Sequence, residues 1–235
     1  MSTESKSFAA AEQALPRLEI WVRSATEAAT WRIRILWFQV ILAFLLVECA
    51  LWAARLSVRS RWAVGTGLIV LLMAMIDQPS LRKLGLGWPG ARGTVATLAV
   101  GVGIAALMIV LTGIVGGQIP ANPRFPNWQM AWKYVIWALL QQFLLQSFFF
   151  SRFEELYGSD RAVWLSGTLF ALVHVPNMIL TSCTLFSGLL FCELFRRHRN
   201  IYPLGIIHAL LGLTLSSVVP ESLLQHMRVG IGFLR

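Results

Sequence analysis

Long apolar runs broken by short polar stretches dominate this chain. The runs lie at about 35–54, 62–77, 94–116, 129–151, 162–175, 178–195 and 202–219. A helix of about 20 apolar residues crosses a bilayer core, and in lipid a spanning helix satisfies its own backbone polar groups. Each run therefore predicts a membrane helix. The second is short for a crossing and predicts a tilted or incomplete span. The expected fold is all-α, a polytopic membrane helix bundle of about seven transmembrane helices forming one domain over 35–220. Residues 1–34 precede it. They are polar and unordered to about 14; then Leu15, Leu18, Val22, Ala25 and Ala29 recur at helical spacing, with Arg17, Glu19, Arg23 and Glu27 off that line. This predicts an amphipathic helix lying on the membrane surface. A polar tail, 221–235, closes the chain.

The breaks between runs have their own chemistry. Asp77 and Pro79 open a loop that runs through Leu84-Gly85-Leu86-Gly87 to Trp88-Pro89-Gly90. The stretch 117–127 is Pro-rich and cannot be helical throughout. Residues 152–161 are polar, Val175-Pro176-Asn177 forms a sharp break, and Arg196 to Asn200 make a basic turn. The third run is rich in Gly and Ala, which allows helices to approach closely.

Composition supports the membrane reading. Only 13% of the 235 residues are charged and 57% are hydrophobic, whereas a soluble domain carries about a quarter charged residues. Lipid wets apolar surface that water would not. Several of the ten Trp residues, among them Trp37, Trp52, Trp62, Trp128 and Trp164, stand near run ends, where an amphipathic ring suits the headgroup layer. The net charge of +9 comes from short clusters between runs (Arg55, Arg59, Arg61; Arg82, Lys83; Arg196, Arg197, Arg199). Such clusters fit anionic headgroups, not a nucleic-acid groove. Cys49, Cys183 and Cys192 are scattered in apolar runs and suggest neither a disulfide framework nor a zinc site. No cleavable signal peptide is expected, because the start of the chain lacks an apolar core segment. Loops on the N-terminal side carry about 13 Lys or Arg against about 7 on the other. This places the N-terminus in the cytoplasm; the expected location is the cell membrane.

Polar residues inside apolar runs cost a few kcal/mol on insertion scales and need a partner, a wet cavity or a function. Gln141, Gln142 and Gln146 lie in the fourth run, with Gln142 and Gln146 on one face. His174 ends the fifth run and His208 lies within the seventh. These polar groups either bond between helices or share a cavity. Glu193 ends the sixth run three and four residues before Arg196 and Arg197, the spacing of a local ion pair. Glu48 is expected to be structural, and Asp77 to mark a helix end.

The order and spacing of these groups resemble the CAAX protease and bacteriocin-processing family, whose three motifs are E-E-x-x-x-R, F-x-x-x-H and H-x-x-x-N. Here stand Gln141-Gln142-Phe143-Leu144-Leu145-Gln146, Phe170-Ala171-Leu172-Val173-His174 and His208-Ala209-Leu210-Leu211-Gly212. The flanks also resemble the family: Phe148 to Gly158 after the first motif, Val175-Pro176-Asn177 after the second, and Asn200 to Pro203 before the third. The resemblance covers about 80–220. It implies an intramembrane endopeptidase in which the first Glu activates a water, two His assist and the Asn holds the oxyanion. Those places fall on Gln141, His174, His208 and Gly212, with Gln142 and Gln146 at the second Glu and the Arg. Gln has no basic oxygen that takes a proton from water, although it can orient one. Two carboxylates and one guanidinium vanish together, so no unpaired buried charge is left. Glu154 and Glu155 lie too far along the chain to replace the pair.

Three readings follow. In the first, the protein hydrolyses peptide bonds, with His174, His208 or Glu193 as base. No cofactor motif is present, and a divalent metal on both His and Glu193 is an open variant. In the second, a silent relative binds a membrane partner or lipidated peptide in the same cavity. In the third, the protein has a different membrane function, such as a small transporter or an assembly subunit, the motifs are coincidental and the two His do not face one another. The partners expected are the bilayer and a membrane-associated or lipidated peptide, with no nucleic acid.

Overall fold

The computed structural model describes residues 3–77, 80–116 and 128–235, with side chains described over 24–77, 80–115 and 131–235. All regular structure among the described residues is helical: α1 (Thr3–Trp52), α2 (Leu56–Asp77), α3 (Ala91–Gly116), α4 (Trp128–Gln142), a π-helical segment (Phe143–Phe150), α5 (Ser151–Tyr157), α6 (Ser159–Leu172), α7 (Met178–His198), α8 (Ile201–Val218) and α9 (Glu221–Leu224). Two 3₁₀ turns follow, at Gln225–Met227 and Gly230–Gly232. The chain divides into two compact units, Met1–Ile41 and Leu42–Arg235. The first is helical from Thr3, and the second holds the candidate site.

Each expected apolar run is a helix, with three corrections. The unordered start and separate surface helix are replaced by one helix, Thr3–Trp52; the side chains of 15–23 that would form the amphipathic face lie outside the described residues. The short second run becomes the 22-residue α2, because the polar residues 56–61 remain helical. The fifth run, only 14 residues as read, becomes α6, displaced three residues toward the N-terminus; its 14 residues rise about 21 Å at 1.5 Å each, short of a core of about 30 Å. Six helices among the described residues are therefore long and apolar enough to cross a membrane. The expected Pro-rich loop at 117–127 and Pro79 lie outside the described residues.

α8 is the central helix. Its apolar window is 61% buried, whereas that of α3 is only 11% buried and turns most of its surface outward. Glycine permits this centrality. A Cβ on Gly205 would stand 2.3 Å from a Leu139 methyl of α4, and a Cβ on Gly101 would stand 2.4 Å from Ile207 of α8. The Gly and Ala expected to allow close approach thus do so where α3 meets α8. α6 and α7 meet in the same way at Gly167 and Gly188, where a Cβ on Gly188 would lie 3.2 Å from the Gly167 backbone. Leu45, Leu68, Leu72, Val95, Leu107 and Ile114 are exposed, which suits contact with lipid.

Two polar joints hold the ends of the site helices. Asn200 caps α8 by accepting from the Tyr202 amide and donates to Gly87 O at 2.8 Å, while Ile201 N donates to Gly85 O. These bonds pin the 84–87 loop to the start of α8. Gly85 takes φ +72°, a left-handed turn that also leaves room for the Phe195 ring. Asn177 caps α7 through the Leu180 amide and donates to Leu224 O and Arg228 O, at 2.9 and 3.3 Å. Gly230 N donates to Val175 O. The C-terminal turns therefore clasp the bend 173–177, which contains a cis Val175–Pro176 bond.

Candidate active site

His174 stands in that bend, one residue beyond the C-cap of α6, and His208 lies two turns into α8. They flank one ring: Phe170 is 4.9 Å from the His174 ring and 5.8 Å from the His208 ring, edge-on to both. Phe191 covers the other side of His208 at 5.2 Å. The second and third motifs are thus brought together, as the first two readings require and the third does not.

The hydrogen bonds distinguish the two imidazoles. His174 Nδ1 lies 2.7 Å from Phe170 O, four residues back. A carbonyl only accepts, so Nδ1 carries the hydrogen and Nε2 keeps its lone pair. His208 Nδ1 lies 3.2 Å from Gln142 Nε2. The Gln142 oxygen is occupied, since it accepts from Gln146 Nε2 at 3.2 Å. With the amides in this orientation Gln142 donates to His208 Nδ1, which puts the His208 hydrogen on Nε2. One imidazole offers an acceptor and the other a donor. Gln142 and Gln146 are both 0% exposed, so this chain of amides is sealed from solvent.

Gln146 falls in the π-helical segment, and Ser151 Oγ, at the start of α5, donates to Gln146 O five residues back. Just beyond, Arg152 is 1% exposed. Its guanidinium stacks 3.6 Å over the Phe148 ring and pairs with Asp77 at 3.0 Å. Asp77 marks the end of α2, as expected, and also supplies a buried counter-charge.

His174, His208, Gln141 and Gly212 line one cavity of about 1630 Å³ whose walls are mainly aliphatic and aromatic. Gln141 faces this space, and Gln142 and Gln146 stand behind it. Among the described residues no Asp or Glu lines the cavity. Glu193 makes the local ion pair that its spacing predicts and does not turn inward as a substitute base. Its carboxylate takes Arg196 Nε at 2.8 Å and Arg197 Nε at 2.6 Å, since i+3 and i+4 partners on its own helix are nearer than the cavity. It does not join the two His as a third metal ligand, and among the described residues no three His, Cys, Asp or Glu converge. Glu154 pairs with Arg199, and Glu48 accepts from Trp52 Nε1 at 2.9 Å.

One cavity residue had no signal in the motifs. Tyr134 of α4 reaches across to Gly212, where a Cβ would stand 2.2 Å from the Tyr134 hydroxyl. A tyrosine near the start of an apolar run reads as an interface aromatic. Only the missing side chain at 212, far along the sequence, gives it this place.

Helices and site together define a multi-pass integral membrane protein with a CAAX-protease-like helical domain. Residues 123–214 match the family model described as type II CAAX prenyl endopeptidase Rce1-like. That segment contains all three motifs, so the resemblance read from them holds. No curated protein and no solved structure matches the chain.

Proposed function

We propose that this protein is an intramembrane endopeptidase that hydrolyses a peptide bond in a prenylated or otherwise membrane-associated peptide. The observation that carries this reading is the different hydrogen-bond partners of the paired histidines, a carbonyl on His174 and an amide nitrogen on His208, which give them opposite tautomers. Hydrolysis needs an acceptor for the proton of water and donors for the carbonyl oxygen, and a site without a carboxylate offers both here. Gln141 orients a water against His174 Nε2. As the water oxygen bonds to the carbonyl carbon, its proton passes to His174 Nε2. The carbonyl oxygen receives a hydrogen bond from His208 Nε2–H. The C–N bond then breaks and the amine leaves with the proton from His174. Gln142 and Gln146 are positioning residues that hold the His208 tautomer. The apolar cavity suits a lipid-bearing peptide, and the family matched by residues 123–214 acts on prenylated ones by its description.

Proton transfer by a placed side chain contributes about 10²–10⁴ in rate. Purified, detergent-solubilised protein is therefore expected to cleave some member of a panel of prenylated and leader-type peptides, and His174→Ala to lose at least 10²-fold. Full activity in His174→Ala would refute the assignment. The absence of acids from the cavity wall favours a second reading, a silent relative that binds such peptides. No cleavage by the wild type, with cleavage by Gln141→Glu, would establish that reading.

The charge distribution supports a cytoplasmic N-terminus. Accessibility of single cysteines introduced at 6 and 92 to an impermeant reagent tests this in intact cells, where neither should label.

A further inference from the structure

We infer that the Tyr134 hydroxyl is a catalytic hydrogen-bond donor that replaces the side chain missing at position 212; this rests on the hydrolase reading above. Gly212 follows His208 by four residues, so the two share a face of α8. Bare backbone there would leave His208 as the only donor assigned to the carbonyl oxygen. The space is not empty. A Cβ on Gly212 would stand 2.2 Å from Tyr134 Oη and 2.9 Å from Cζ and Cε1 of the ring. From ordinary bond lengths, the polar atoms of a carboxamide at 212 would stand about 2.4 Å from that Cβ. The hydroxyl thus occupies the shell in which such a side chain would present its donor, and the two cannot coexist.

Two further observations support a ligand-directed role. Tyr134 lies seven residues before Gln141, two turns along α4 on the same side, and both line the cavity with His208 and Gly212. Among the described residues its hydroxyl has no hydrogen-bond partner, although a tyrosine in apolar surroundings usually finds one. In the reaction, water adds to the carbonyl carbon and the C=O pair moves onto oxygen. Tyr134 Oη–H and His208 Nε2–H both donate to that oxygen. Neither gives up its proton, and the pair returns to re-form C=O as the C–N bond breaks.

The test compares wild type with Tyr134→Phe on a cleaved peptide and on its phosphinate analogue, which mimics the tetrahedral intermediate. Tyr134→Phe is expected to lower kcat by about 10²–10³, as loss of an oxyanion donor does, and to weaken phosphinate binding by a similar factor. KM and affinity for an uncleaved amide peptide should stay unchanged, which a merely structural role would not predict. Gly212→Ala, which must push the hydroxyl aside, is expected to act in the same direction. Tyr134→Ala combined with Gly212→Asn is expected to recover at least tenfold over Tyr134→Ala alone. If wild type cleaves and Tyr134→Phe keeps both kcat and phosphinate affinity, the Tyr134 role is overturned and the hydrolase reading stands. If wild type neither cleaves nor prefers phosphinate to amide, both fall.

Discussion

Restoring charge to the sealed amide chain is the sharpest test of its geometry. Gln142 and Gln146 are fully buried and 3.2 Å apart. Gln146→Arg alone would place a guanidinium there without a carboxylate, a change that costs about 3–5 kcal/mol for an uncompensated buried charge. Gln142→Glu alone would place a carboxylate beside His208 with no cation at 146. In the double variant the two charges attract by about 5 kcal/mol at 3.2 Å, taking an effective dielectric of 20. The extra volume of Arg is common to the single and double variants, so a double-mutant cycle cancels it. Unfolding of all four forms in mixed micelles, followed by tryptophan fluorescence, measures the coupling. A coupling of several kcal/mol is expected. A value below about 1 kcal/mol, near the additive limit, would mean that the two side chains do not meet as described.

Three further outcomes follow from the packing. Asn177→Ala removes a helix cap and two bonds to the C-terminal turns, and is expected to cost about 2–4 kcal/mol at about 1 kcal/mol per bond plus the cap, read as a lower melting temperature in detergent. Gly205→Ala forces a methyl against Leu139 and should cost about 1–3 kcal/mol, whereas Gly103→Ala, with nothing within 4 Å, should leave stability within about 0.5 kcal/mol; size-exclusion profiles after graded heating separate the two. Asp77→Ala removes the carboxylate 3.0 Å from the buried Arg152 and is expected to cost about 3–5 kcal/mol. Replacing the pair together, as Asp77→Leu with Arg152→Met, should recover most of that loss in the same melt.

Much of this was legible from local pattern. Apolar run length marked the helices, since lipid imposes one rule on every spanning segment. The i+4 bond between Gln142 and Gln146 and the pairing of Glu193 with Arg196 and Arg197 follow from helical spacing. What escaped depends on contacts between distant segments. No spacing rule says that His174 donates to Phe170 O while His208 accepts from Gln142, and that difference is what separates an acceptor from a donor. Tyr134 escaped for the same reason, because its meaning lies in an absence 78 residues later. The end of α6 at Leu172 was hidden because composition marks the break only at Val175-Pro176-Asn177, whereas bonds from the C-terminal turns hold the whole bend 173–177.

The π-helical segment has a consequence for how this chain tolerates changes of length. A backbone bonded i to i+5 carries more residues over a given rise than one bonded i to i+4. Phe143–Phe150 is therefore a reserve of chain between two fixed points, Gln142 at His208 and Arg152 at Asp77. Deleting one residue inside it would let the segment relax toward α-helix, so the loss would be absorbed there and the helix beyond would keep nearly its present phase. Arg152 would then stay on Asp77 and Gln142 on His208, whereas a deletion in the α-helical turns of α4 would rotate everything beyond by about 100°, the step of one residue. The segment thus sets the phase between the half of this helix that serves the histidines and the half that anchors it in the bundle.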